Sequence, residues 1–176
     1  MGEFDPNMTW MGIGLKTGGT LFVVGMENTE GKLFNIGNPN ATYGFSVLSA
    51  RLGVGLGGGT GLSVLCAFNC DNPMVRLHNT ETTDWGVNIS LGGQWGKIAK
   101  TLKNSRFFTR VARVGAKLTR LVPSAAEEFR NDMHYLYTAF DIGSMDKKPK
   151  VVTIDTPAGV GLELSVNYTI GKIEIS

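Results

Sequence analysis

The chain reads as a single α+β domain: a mostly antiparallel, Gly-rich twisted sheet or partial barrel, with one helical hairpin (about 97–137) packed on it. Three observations predict this. Glycine makes up 24 of 176 residues and is dispersed among alternating apolar positions, as tight turns and close-packed strands require. Alternating segments recur on both sides of one helical stretch. That stretch is basic and amphipathic.

In order, Trp10 to Lys16 alternates, and Thr20 to Met26 is an apolar run suited to a buried strand. Glu27 to Gly31 is predicted to turn, and Gly37-Asn38-Pro39-Asn40 is a strong breaker. Tyr43 to Arg51 alternates again. Leu52, Val54 and Leu56 then share one face while Gly53, Gly55 and Gly57 leave the other bare, a place for the helical hairpin to dock. Gly57 to Gly61 predicts a turn or bulge before a strand over Leu62 to Phe68, which Cys70 to Pro73 ends. Trp85 to Leu91 is a further strand, closed by Gly92-Gly93.

From Lys97 to Arg120 there are eight basic residues and no acidic one. On a helix at about 100° per residue, Lys103, Arg106, Arg110, Arg113, Lys117 and Arg120 fall on one side. Phe107, Phe108, Val111, Val114, Leu118 and Val122 gather on the other. The pattern predicts one continuous helix of about six turns ending at Pro123. Ser124 with Glu127 matches a capping box, so a second helix is predicted to about Tyr137. After it come strands over Lys150 to Asp155, Val160 to Val166 and Ile173 to Ser176. Met1 to Asn7 reads as a cloning scar or disordered terminus, with residues 8–176 forming the domain.

Chemistry is sparse. Gly53-x-Gly55-x-x-Gly58 matches a dinucleotide fingerprint in letters only, because a strand rather than a helix is predicted to follow it. Cys66 sits mid-strand in an apolar run, as an inert buried thiol would. Two cysteines make no disulfide framework, and a zinc site would need more ligands than His78 and His134 supply. The carboxylate pairs Glu81/Asp84 and Glu127/Glu128 read as solvated turn and helix-start residues. The expectation is therefore a non-enzymatic protein with no catalytic residue, no metal and no cofactor.

The basic helix is the one feature that points to a partner. Its bland reading is a core-packed helix with a wet cationic face. Its functional reading is attraction to an anionic lipid surface through Lys103, Arg106, Arg110, Arg113, Lys117 and Arg120. Nucleic acid ranks second and lacks a stacking platform. A target-groove helix ranks third. Two other classes stay open: an assembly protein that forms homo-oligomers through its Gly-rich strands, and a toxin-like pore former. No leader peptide or spanning helix is visible, so a cytoplasmic or peripheral membrane location is favoured.

Three Gly-rich pieces carry a resemblance: Gly14 to Gly19, Gly53 to Asn69, and Trp85 to Gly93. With the closing Ala158 to Leu164 they resemble the SYLF domain family, a lipid-binding β-rich fold. The resemblance implies lipid as the ligand class. The stretch Lys97 to Tyr137 sits where that family has little, so no binding residue is transferred from it.

Overall fold

The computed structural model describes residues 2–79, 81–86, 94–115, 123–155 and 167–176. Its centre is a hairpin of two unusually long strands, β1 (Trp10–Asn35) and β2 (Thr42–Phe68). The Gly37-Asn38-Pro39-Asn40 breaker is the hairpin turn. The Asn35 carboxamide oxygen accepts from the N–H groups of Gly37 (2.9 Å) and Asn38 (2.8 Å), and Asn35 N–H donates to Ala41 O at 3.1 Å. Asparagine closes turns in this way because its side chain mimics a backbone carbonyl.

From that turn the antiparallel register runs from Phe34↔Thr42 to Trp10↔Ala67. The predicted turn at Glu27 to Gly31 is therefore corrected: those residues pair with Ser49 to Phe45 inside the sheet. Gly57 to Gly61 likewise continues β2, opposite Thr20 to Lys16. The irregularity lies a few residues earlier, where Gly53 and Val54 together oppose Val23. Two residues against one bend a strand and raise its twist.

A straight strand of this length would span roughly 85 Å at the usual rise, far more than the molecule can bury. Instead β1 folds back across itself. Lys16 and Glu27 form an ion pair at 2.8 Å, and Thr17 Oγ1 donates to Asn28 O at 3.5 Å. Glycine is needed here for space and not for a positive φ. A Cβ on Gly31 would stand 2.1 Å from Ile13 O. One on Gly14 would stand 2.9 Å from Glu30 O, and one on Gly18 2.6 Å from Met26 O.

Folding back divides the sheet into two half-sheets. β2 carries β1 along one side and, on the other, β4 (Lys150–Asp155) at 63–68 and β5 (Asn167–Ile175) at 45–52. β3 (Glu81–Gly86) adds to the outer side of β5. Among the described residues this is a five-stranded, wholly antiparallel, curled sheet. Between the half-sheets lie Trp10, Leu65 and Ala67 from one and Leu33, Phe45, Val47, Ile173 and Ile175 from the other. Towards the crease the seam turns polar, with Glu27, Thr29, Ser49 and Ser63 buried near the Lys16–Glu27 pair.

The opposite face of the 10–18 half-sheet is apolar too: Met11, Ile13, Val64, Cys66 and Phe68, with Val152 and Ile154 from β4. The helical layer docks there. The described contacts of that layer fall on this face; the surroundings of Gly53–Gly57, the docking place proposed from the sequence, lie outside the described residues. Helix α1 (Pro73–Arg76) is one turn, capped by the Asn72 side chain on Met74 N–H. Helices α2 (Gln94–Asn104), α3 (Phe107–Gly115) and α4 (Pro123–Ala139) form the layer.

The fold class is thus the predicted one, α+β with helices on a curled Gly-rich sheet. Within it, the single six-turn helix is corrected to two helices. They meet at Arg106, whose φ is +63°. Continuing the helix would fail geometrically. At about 100° per residue Phe107, Val111 and Val114 would lie roughly 180° from Ile98 and Leu102, so both stripes could not reach one core. With the break, all five are buried in it, beside Ala126, Phe129, Met133 and Leu136 of α4.

Residues 2–9 lie along the same end of the domain. Phe4 packs its ring 5.2 Å from His134 and 5.6 Å from Tyr137, and Gly2 N–H donates to Gly143 O at 2.8 Å. Asp5 caps the short 3-10 turn Pro6–Met8, and Met8 O accepts from Cys70 N–H at 2.9 Å. The predicted strand residues 87–91 and 160–166, with Gly92-Gly93, lie outside the described residues.

Candidate anion-binding surface on the helical layer

The basic segment is positioned by its apolar residues. Ile98 and Leu102 pin α2, and Phe107, Val111 and Val114 pin α3, which fixes how the two helices face the core. Phe107 stacks edge-on against Phe129 at 6.0 Å, and Gly115 brings α3 against Leu62 and Ile13. Fully burying a side chain such as Phe107 contributes about 1.5–3 kcal/mol, so these contacts fix the helices and hence the cations they carry.

The six residues singled out from the sequence separate into different roles. Arg106 is exposed, at the bend between the helices. Arg113 is exposed and pairs with Glu128 of α4. Arg110 is turned inward and does structural work. Its Nη1 donates to Ser105 O at 2.6 Å, and its Nη2 donates to the Asp132 carboxylate. Its guanidinium lies 5.8 Å from the Phe129 ring. One side chain therefore ties the end of α2, the body of α3 and the middle of α4. The Nε of Arg110 is buried and has no hydrogen-bond partner. The side chain of Lys103 lies outside the described residues, as do Lys117 and Arg120 altogether.

Two cations that the helical wheel left off the face belong to it. Lys97 and Lys100 are exposed on α2. The signal that could have found them is the half-turn slip between the Ile98/Leu102 stripe and the Phe107/Val111/Val114 stripe. The outer side of α2 and α3 thus presents Lys97, Lys100, Arg106 and Arg113, and the segment contains no carboxylate of its own.

Burial sets the electrostatics underneath. Desolvation raises the pKa of Asp132 above its ordinary 3.8, while the hydrogen bond and charge of Arg110 pull it back down. The Cys66 thiol is pushed far up by burial, with Asp132 adding to the effect. Cys70 is pushed up to about 12, again chiefly by burial. Neither thiol has the electropositive, accessible setting that makes a nucleophile.

Among the described residues no group of three His, Cys, Asp or Glu side chains could hold a metal ion. No described helix is long and apolar enough to cross a membrane. Comparison with protein-family models, with curated proteins and with solved structures finds no match.

Proposed function

We propose that the protein is a non-enzymatic module that attaches peripherally to anionic lipid surfaces through the outer side of α2 and α3. One observation carries this reading. The apolar stripes of the two helices, Ile98 and Leu102 on α2 and Phe107, Val111 and Val114 on α3, are buried in the domain, while Lys97, Lys100, Arg106 and Arg113 remain exposed on a segment without acidic residues. The resemblance of the Gly-rich strands to the SYLF family favours the same ligand class.

The geometry favours adhesion over insertion. With the apolar stripes already against the sheet, attraction comes from charge, at about 1 kcal/mol per Lys or Arg near an anionic bilayer. Such attraction is screened within about 10 Å at 0.1 M salt.

Co-sedimentation with phosphatidylcholine vesicles, with and without phosphatidylserine, tests the reading. Binding is expected only with phosphatidylserine. It should weaken at high salt and fall in a Lys97→Gln, Lys100→Gln, Arg106→Gln variant. Absence of binding to phosphatidylserine vesicles at low salt would overturn it. Tighter binding to duplex DNA than to those vesicles would move the assignment to nucleic acid.

Self-association is a second reading, favoured by Met26 (62% exposed) and Leu48 (54%) on the open face of the 26–35 half-sheet. A concentration-independent monomer in light scattering would remove it.

A further inference from the structure

Beside helix α1, at the end of β5, one ladder bond is made by a side chain. The connection from α1 to β3 runs alongside the end of β5. Asn79 N–H donates to Ile173 O at 2.8 Å, one residue out of step with the β3–β5 register that begins at Glu81↔Lys172. The next donor along β5 is Ile175 N–H, and it bonds to His78 Nδ1 at 3.0 Å. An imidazole nitrogen stands where a strand would supply a carbonyl. Asn79, at φ +61°, turns the chain so that this can happen.

A carbonyl accepts a hydrogen bond at any pH. An imidazole nitrogen accepts only while it carries no proton, and in the imidazolium both nitrogens are donors. We propose that His78 is a pH-sensitive latch: its neutral ring holds the end of β5 in the sheet, and protonation releases it. Protonation would leave Ile175 N–H facing another N–H, a lost bond and a repulsion together.

The segment held by the latch also carries part of the core. Ile173 and Ile175 are buried between the half-sheets against the cluster of Trp10, Leu33, Phe45 and Val47. Leu77, next to His78, is buried in that cluster too. Beyond Ile175, Ser176 N–H donates to Gly44 O at 2.9 Å, so the end of β5 is held on both sides. Releasing the His78 side loosens the end of a strand whose apolar face closes the inter-sheet core.

The charged groups on the neighbouring stretches are few. Asp71 and Arg76, on the same connection, pair at 3.8 Å. Glu81 of β3 stands opposite Lys172 of β5, and Glu174 of β5 stands opposite Ser46 of β2. β1, beyond β2, contributes Lys32 opposite Gly44. None of these replaces the acceptor that protonation removes.

Amide hydrogen exchange of the whole chain tests the latch. Rates for Ile175 are corrected for intrinsic pH dependence and compared with amides of the β2–β4 ladder. In the wild type, protection at Ile175 should fall roughly fivefold or more between about pH 7.5 and pH 5, with the β2–β4 amides unchanged. His78→Asn keeps a side-chain oxygen at the position of Nδ1, and that oxygen accepts at every pH. Its Ile175 protection should be flat across the same range. A flat wild-type profile, or the same fall in His78→Asn, would overturn the proposal.

Discussion

At the scale of single residues, Arg110 is the side chain on which the helical layer turns. It joins Ser105, Asp132 and Phe129, with Asp132 only 4% exposed. Removing one member of a buried ion pair strands the other, at a cost of about 3–5 kcal/mol. Arg110→Met is therefore expected to lose about that much at neutral pH. The sign of the pH dependence follows from Asp132, whose pKa burial raises above 3.8. A raised carboxylate favours the fold fully below its unfolded value and loses that contribution as pH rises through the folded value. Without Arg110 the folded value rises further. The gap between wild type and Arg110→Met in urea denaturation should accordingly narrow from pH 7.5 towards pH 4 and widen above it. The cysteines give a simpler expectation. With Cys66 and Cys70 buried and their thiols pushed up, the native protein should resist alkylation at pH 8 and take up two equivalents in denaturant. Fast labelling of the native protein would contradict the burial.

At the scale of elements, much was legible and the failures have physical causes. The alternation in 10–16, 43–51 and 62–68 gave true strand segments, and the apolar stripe of α3 was correctly read. Turns were misplaced at Gly31 and at Gly57 to Gly61. Sequence cannot distinguish a glycine needed for a turn from one needed because a backbone passes where its Cβ would be. Gly31→Ala should cost at least about 1–3 kcal/mol, since its neighbour is the Ile13 carbonyl and cannot rotate away. Gly44→Ala faces chiefly the flexible Ser176 hydroxyl at 2.5 Å and should be milder in the same denaturation series. The break at Arg106 was missed because arginine is not a residue that signals left-handed backbone. For an L-residue that conformation costs roughly 1–2 kcal/mol. Arg106→Gly should therefore raise the denaturation midpoint while weakening attachment to phosphatidylserine vesicles. A variant that lost both stability and binding would show that the bend is held by contacts of the Arg106 side chain.

At the scale of the whole molecule, the α+β class was readable but the three-layer order was not. Helices, the 10–18 half-sheet and the 26–35 half-sheet stack because both faces of one half-sheet are apolar, Met11 and Ile13 on one side and Trp10 on the other. The chain carries this as two interleaved sets, which look like ordinary alternation until the strand is known to fold back. The same stacking sets which of the predicted cations are exposed. The charge run was plain in the sequence, but the layer decided which cations stay outside. Arg110 went to the core of the helical layer, while Lys97 and Lys100 joined the exposed side. If charge on that side is what draws the protein to a bilayer, Arg110→Met should alter stability first, and the Lys97/Lys100/Arg106 variant should alter binding with little change in the denaturation midpoint.

The crease in β1 has a consequence for the strand's open edge. The carbonyls of Met26, Asn28 and Glu30 lie on the edge of β1 along which no described strand pairs, and an exposed row of that kind is a template for another chain. Here they are set against Gly18, Thr17 and Gly14 of the same strand. The strand covers its own edge, and it can do so because Gly14, Gly18 and Gly31 put no side chain at the crossing.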